Sequence, residues 1–250
     1  KLVSNAMLAQ RISSINSVSA LCEKTGADID EVSKAVGMDK RIGTRFLNAS
    51  IGYGGSCFKK DILNLVYISK HYGLDQVADY WESVVKINSY QTERIADKII
   101  NVLKPANNNA VVTILGWAFK KETNDSRESA SIYLANRLLD NNININIYDP
   151  KVKESRIIED LKSLFKNENK ELKKIEESLS RVSVFNDPYD SILNSNLISI
   201  CTEWYEFTQL DWKKIFNTMS TPRYIFDGRN LLNKLDLDTI GFKTFFIGKS

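Results

Sequence analysis

The sequence has 250 residues, which is enough chain to bury a sizeable core or to form two domains of ordinary size. Its 34 basic and 31 acidic residues are interspersed and leave a net charge of +3, which argues against the broad positive field of nucleic-acid-binding and membrane-surface proteins. Three widely spaced cysteines with no C-x-x-C pair argue against a disulfide framework or a zinc site, and indicate a reducing compartment, by default the cytoplasm.

The first predicted element is one long helix over residues 1–25, because apolar residues recur at helical spacing and Gly26 suits a helix end. Lys1 and Asn5 lie four residues apart, so an ammonium and an amide share one helix face. Two solvated polar residues are the alternative interpretation. Because the chain begins inside a helix and without Met, we expect that something upstream has been removed. We find no signal peptide and no apolar run near 18 residues, so no membrane span is expected.

A short helix over 28–36, closed by Gly37, and a turn or further helix over 41–47 lead into a glycine-rich loop. Gly52, Gly54 and Gly55 allow the backbone of this loop to approach a ligand closely. Ser56 is a fitting N-cap for a helix that begins at Cys57. A thiol at this position lies in the positive field of the helix N-terminus, which favours the nucleophilic thiolate.

Cys57, Lys60 and Asp61 are three and four residues apart, so the predicted helix brings a nucleophile, a cation and a carboxylate to one face. His71 is the only histidine and falls in the last turn of that helix. Acid and base chemistry is therefore expected from Lys, Asp, Glu or water rather than from a histidine triad.

A second long helix is predicted over 74–104, a stretch that contains neither Pro nor Gly. A helix of that length is typical of a buried strut or a subunit interface. Pro105 and the asparagine run 107–109 end it, and we place a domain boundary there, between residues 1–104 and 105–250.

Beyond this boundary, strands alternate with helices, which predicts an α/β fold with a parallel sheet covered on both faces. The predicted strands are 110–115, 144–148, 182–185, 197–201, 224–226 and 245–247, and the predicted helices are 128–140, 154–179, 188–193 and 212–219.

Ligands of such sheets bind past the carboxyl ends of the strands, where segments 116–127, 201–204 and 227–230 fall. They carry Lys120, Lys121, Arg127 and Arg229, which predicts a cationic rim for phosphates. Scattered solvated cations are the alternative.

Taken together, these motifs resemble the UDP-glucose 6-dehydrogenase family, and the resemblance covers essentially the whole chain, most weakly over 152–181. The matching stretches are KLVSNA, GYGGSCFKKD, GWAFKKETNDSRES, ICTEW and FDGR. The resemblance implies a helical central dimerisation region followed by a Rossmann-like parallel-sheet domain that binds UDP. It also implies that the family's N-terminal NAD-binding domain is absent, since the loop over 52–57 does not replace its G-x-G-x-x-G motif.

The resemblance further implies NAD-dependent, two-step oxidation of UDP-glucose to UDP-glucuronate through a thiohemiacetal and a thioester. In that scheme Cys57 is the nucleophile, Asp61 with Lys1 handles protons and water, and Lys1 with Asn5 stabilises negative charge on the C6 oxygen. A homodimer would form through the long helix over 74–104, and the resemblance leaves open whether a higher oligomer forms.

The implied substrate contacts are Arg41, reaching a neighbouring subunit's site, Leu47, Asn48, Tyr53, Gly54, Phe58, Phe119, Lys120 and Arg229. The turn from Cys57 to Lys60 and Arg127 resemble the family's NAD contacts. Asn48 departs from the lysine of vertebrate-like members, which puts one phosphate contact in doubt. Two alternatives stay open: a catalytically silent module that binds UDP-sugar and holds subunits together, and a related dehydrogenase of GDP-mannose or a UDP-N-acetylhexosamine.

Overall fold

The computed structural model describes residues 1–104, 110–233 and 235–249. Its first part is helical, with α1 (Leu2–Thr25), α2 (Ile29–Gly37), α3 (Phe58–His71) and α4 (Asp75–Leu103). Pro105 and residues 107–109, on which the predicted domain boundary rests, lie outside the described residues.

The local signals for the first two helices act largely as expected. Gly26 ends α1 in the left-handed conformation, with φ of 78°, and its N–H donates to the Cys22 carbonyl. The Asp28 side chain caps α2 by accepting from the Asp30 N–H. Gly37 is the last residue of α2 rather than its cap, and residues 41–47 form turns and bends, so the further helix does not form there.

Helices α1, α3 and α4 pack around a small apolar cluster of their own. Ala6 and Ala9 on α1, Ile62 on α3 and Ala78 on α4 are all fully buried in it. Small side chains let helix backbones approach closely, so α1 and α3 bring their first turns together.

The second part is a six-stranded sheet whose strand pairs are all parallel, which confirms the predicted α/β fold. Its order is β3-β2-β1-β4-β5-β6. The strands are β1 (Val111–Leu115), β2 (Asn144–Tyr148), β3 (Val182–Phe185), β4 (Leu197–Ile200), β5 (Tyr224–Asp227) and β6 (Lys243–Phe246). From β1 the chain adds β2 and β3 on one side of the sheet, and then β4, β5 and β6 on the other side. Open parallel sheets bind ligands at such a switch point, which here lies between β1 and β4.

The helices of this part are α5 (Ala130–Asp140), α6 (Glu154–Asn167), α7 (Leu172–Leu179), α8 (Pro188–Ile192), α9 (Trp212–Thr218) and α10 (Leu237–Ile240). The single helix predicted over 154–179 is wrong, because the chain turns between α6 and α7. Asn169 adopts φ of 55° there, and asparagine tolerates this left-handed conformation better than most residues. Sequence patterns also missed the 3₁₀ turn Tyr205–Gln209 and the short α10.

None of the helices within the described ranges is both long enough and apolar enough to cross a lipid bilayer.

Candidate functional site

A buried carboxylate joins the starts of α1 and α3. Asp61 lies in the first turn of α3, and its side chain is 9% exposed. Asn5 Nδ2 donates to Asp61 Oδ2 at 2.6 Å, and Lys1 Nζ lies 3.6 Å from the same oxygen. The structure thus joins two pairs, Lys1 with Asn5 and Cys57 with Asp61, that local spacing treated separately.

Cys57 is an exposed free thiol one turn before Asp61, and its carbonyl accepts from the Asp61 N–H at 2.8 Å. The predicted N-cap at Ser56 is wrong by one residue: Cys57 occupies the capping position, and no side chain caps the helix. The Ser56 hydroxyl instead lies 3.8 Å from the Cys57 sulfur. The cysteine still stands at the N-terminus of α3, as the loop pattern indicated.

The glycine loop packs directly against the segment that follows β1. A Cβ on Gly54 would lie 2.4 Å from the Glu128 carbonyl oxygen and 2.9 Å from the Phe119 Cβ. The next residue, Gly55, donates its N–H to the Arg127 carbonyl at 2.8 Å. Glycine at position 54 is therefore required by close backbone approach.

Polar side chains of α4 hold the other side of this loop, and sequence reasoning missed them. Asn88 accepts from the Tyr53 N–H at 2.9 Å and donates to the Tyr53 carbonyl at 3.1 Å. Thr92 donates to the Ile51 carbonyl, and Gln91 to the Ser50 carbonyl. The signal was present, since these three polar residues interrupt an otherwise apolar helix face.

Asp149, which follows β2, ties together the ends of three strands. Its Oδ2 accepts from the backbone N–H groups of Trp117 and Ala118 at 2.6 and 2.9 Å, and from the Trp204 indole at 3.1 Å. Trp117 is fully buried. The segment after β1 is therefore anchored by the buried Asp149 at the carboxyl ends of the strands. This anchor fixes the position of Phe119 and Lys120, which follow in the same segment.

A groove of about 710 Å³ lies between the turns after α2, the glycine loop and the carboxyl ends of β1, β4 and β5. Seven residues expected to contact substrate line it, namely Asn48, Tyr53, Gly54, Phe58, Phe119, Lys120 and Arg229. Its other lining residues are Ile12, Thr44, Arg45, Phe46, Ser50, Gly52 and Glu203. The first four of these were missed, because they lie in a helix and a turn that carry no recognisable motif.

The charges in the groove differ in how firmly they are held. Arg229 is 15% exposed and donates to the carbonyls of Cys201 at 2.8 Å and Phe119 at 3.1 Å, while its Nε lies 3.3 Å from Glu203. Lys120 is exposed, with its ammonium 5.4 Å from the Phe119 ring centre. The groove therefore offers one rigid cation, Arg229, which Glu203 partly neutralises, and two exposed cations, Lys120 and Arg45.

The predicted cationic rim is divided between two clefts. Arg127 pairs with Asp125 at 2.7 Å and lines, together with Lys60, a separate cleft of about 520 Å³. Lys121 lines neither that cleft nor the groove. Cys57 stands between Ser56, which lines the cleft, and Phe58, which lines the groove.

Two further predicted contacts lie outside the groove. Arg41 is exposed and pairs with Asp39 at 2.6 Å, so its expected contact with a neighbouring subunit stays a prediction. The Leu47 side chain is buried, and its carbonyl accepts from the Ser33 hydroxyl at 2.7 Å.

Burial raises the pKa of the Cys201 thiol to about 11, which keeps that cysteine protonated and unreactive in the core.

Comparison with known proteins assigns both parts of the chain. Residues 1–90 match the model of the UDP-glucose/GDP-mannose dehydrogenase family, central domain, and residues 113–234 match that family's UDP binding domain. The chain is 49% identical over 249 residues to UDP-glucose 6-dehydrogenase of Drosophila melanogaster, covering 100% of this chain and 51% of that protein. It is also 49% identical over 252 residues to UDP-glucose 6-dehydrogenase 4 of Arabidopsis thaliana, covering 52% of it.

A solved UDP-glucose dehydrogenase from Pyrobaculum islandicum matches all of this chain, and half of its own, with a TM-score of 0.75 and 27% identity. The chain thus spans about half the length of the relatives that it matches.

Proposed function

Because this chain belongs to the UDP-glucose/GDP-mannose dehydrogenase family, we propose that it supplies the catalytic cysteine and the UDP-binding part of an NAD-dependent UDP-glucose 6-dehydrogenase. The observation that carries this proposal is the convergence of Lys1, Asn5 and the buried Asp61 one helical turn from the exposed Cys57. In this proposal residues 1–104 form the central region and residues 105–250 the UDP-binding domain.

The groove fits the nucleotide part of the substrate. Arg229 is held by backbone carbonyls and presents a rigid guanidinium, while Lys120 is free to meet a second phosphate oxygen. Phe58 lines the groove next to Cys57, so a diphosphate bound by these cations directs the attached sugar toward the thiol.

The chemistry at C6 then uses groups of this chain. UDP-glucose carries a primary alcohol at C6, and the first oxidation converts it to the aldehyde. The Cys57 thiolate adds to this aldehyde to give a thiohemiacetal, the second oxidation gives a thioester, and water hydrolyses the thioester to the carboxylate and frees Cys57. Lys1 and Asn5 donate hydrogen bonds to the C6 oxygen as negative charge develops on it. Asp61 accepts a proton from the attacking water, and its burial beside Lys1 and Asn5 keeps it oriented.

NAD supplies the hydride acceptor for both oxidations when it is bound. The cleft lined by Lys60 and Arg127 opens beside Cys57, and these two cations fit a pyrophosphate, with Lys59 and Arg156 also in the cleft lining. Relatives of nearly half identity carry the name UDP-glucose 6-dehydrogenase, which favours UDP-glucose over GDP-mannose or an N-acetylated sugar.

The test is to incubate UDP-glucose and NAD with two proteins, the 250-residue chain and the same chain joined to an NAD-binding domain of this family, and to follow reduced cofactor. We expect turnover in the joined protein and none after Cys57→Ser. Turnover that survives Cys57→Ser would refute the cysteine mechanism. UDP binding by calorimetry without turnover in either protein would instead support the silent UDP-sugar-binding module.

The same proposal includes a homodimer formed through the helical region. Leu74, Val77 and Tyr80 at the start of α4 are exposed, as are Leu63 and Tyr67 on the neighbouring α3. In the second half of α4 one face is buried against the rest of the chain, so the interface would draw mainly on the exposed apolar residues of the first half. We expect a dimer by light scattering at micromolar concentration, and a monomer there would contradict this part.

The buried free thiols Cys22 and Cys201 support a reducing compartment, which we propose is the cytoplasm.

A further inference from the structure

One arginine on α1 holds the turn segment that forms a wall of the groove. Arg11 donates from each of its three guanidinium nitrogens: Nη1 to the Ile42 carbonyl at 2.8 Å, Nη2 to the Gly43 carbonyl at 2.9 Å, and Nε to the Arg45 carbonyl at 3.0 Å. A planar guanidinium can serve three diverging acceptors at once. This contact joins residues more than 30 positions apart in the chain.

We call residues 42–48, the segment that Arg11 holds, the substrate loop. Thr44, Arg45, Phe46 and Asn48 all line the groove. The loop is exposed at most of its positions, and within it Gly43 and Phe46 adopt φ of 70° and 62°. A phenylalanine in this left-handed conformation is strained, and such conformations persist where surrounding contacts impose them.

Helix α1 therefore connects both ends of the proposed substrate site. Asn5 meets Asp61 near the thiol, and Arg11 holds the substrate loop six residues further along the same helix. Six residues of α-helix span about 9 Å. Because helices are stiff, the distance between the reacting centre and this wall of the groove is set by α1.

We propose that Arg11 is a positioning residue, which keeps the substrate loop in the conformation that binds the nucleotide diphosphate of a UDP-sugar. This inference rests on the proposed function. Arg11 acts through the loop backbone, since its three nitrogens are engaged by carbonyls. Without it, the loop would sample other conformations, and binding would have to order the loop again at a cost in affinity.

The experiment measures UDP affinity by calorimetry for the unmodified chain, Arg11→Ala and Arg11→Lys. We expect about tenfold weaker binding for both variants, because lysine keeps the charge but offers a single nitrogen in place of the three-pronged fork. Arg137→Ala is the matched control: it removes a half-exposed guanidinium that pairs with Asp97, and it should leave UDP affinity unchanged.

A second measurement separates positioning from a general structural role. Hydrogen exchange should speed up in residues 42–48 of both Arg11 variants and stay unchanged in β1 and β4. In the protein joined to the NAD-binding domain, KM for UDP-glucose should rise about tenfold while kcat changes less than about twofold.

The outcomes distinguish this inference from the proposed function. If the unmodified chain does not bind UDP, the proposed function fails and this inference fails with it. If the unmodified chain binds UDP and Arg11→Ala binds equally well, only the role of Arg11 is refuted. Full affinity in Arg11→Lys would also refute it, because charge alone would then suffice. Loss of folding in both variants would refute it as well, since Arg11 would then be a scaffold residue.

Discussion

Replacing Gly54 by alanine tests the close contact between the glycine loop and the segment after β1. The added Cβ would lie 2.4 Å from the Glu128 carbonyl oxygen, about 1 Å inside an ordinary contact distance. Relief requires the loop to move away, which breaks the 2.8 Å hydrogen bond from the Gly55 N–H to the Arg127 carbonyl. Overpacking costs about 1 to 3 kcal/mol and the lost hydrogen bond about 0.5 to 1.5 kcal/mol. We therefore expect the free energy of unfolding to fall by about 1.5 to 4.5 kcal/mol.

Urea unfolding followed by circular dichroism measures this loss, and UDP calorimetry on the same variant measures the groove. Gly73→Ala is the matched control, because Gly73 has φ of 69° and a Cβ there would meet nothing within 4 Å. Backbone strain alone should cost that variant about 1 to 2 kcal/mol and leave UDP affinity unchanged. An unfolding free energy for Gly54→Ala within about 0.5 kcal/mol of the parent, with unchanged UDP affinity, would refute the close packing.

Three further predictions concern single side chains. Asn5→Leu removes the 2.6 Å hydrogen bond to the buried Asp61, and it should lower the free energy of unfolding, measured by urea titration, by about 1.5 to 3 kcal/mol. A loss smaller than about 0.5 kcal/mol would contradict this prediction. Lys120→Ala should weaken UDP binding in calorimetry by about 1.5 to 3 kcal/mol without shifting the thermal midpoint, since Lys120 is exposed. Burial alone would raise the pKa of Glu23, but hydrogen bonds from Arg94 and a backbone N–H hold that pKa below its usual value. The stability from Glu23 is therefore complete above about pH 4.3 and lost at lower pH, so an acid titration should show a shallower decline for Glu23→Gln.

The sequence alone predicted most of the fold, because periodicity and caps act over short distances. The bounds of β2 and β3 agree with their patterns, and Gly26 ends α1 as expected. Where the single helix over 154–179 failed, the reason was also local: Asn169 in the left-handed conformation ended a helix that its charged neighbours would have continued.

For the candidate site, the sequence by itself identified the residue types and the family motifs, including Cys57, Asp61 and Arg229. Only the tertiary structure decided which of them meet. The Asn5–Asp61 contact joins residues 56 positions apart, and Arg127 and Arg229 line different clefts although both follow strands of one sheet. Such pairings depend on how helices and strands pack against one another, and the pattern of residues along the sequence carries no information on that packing.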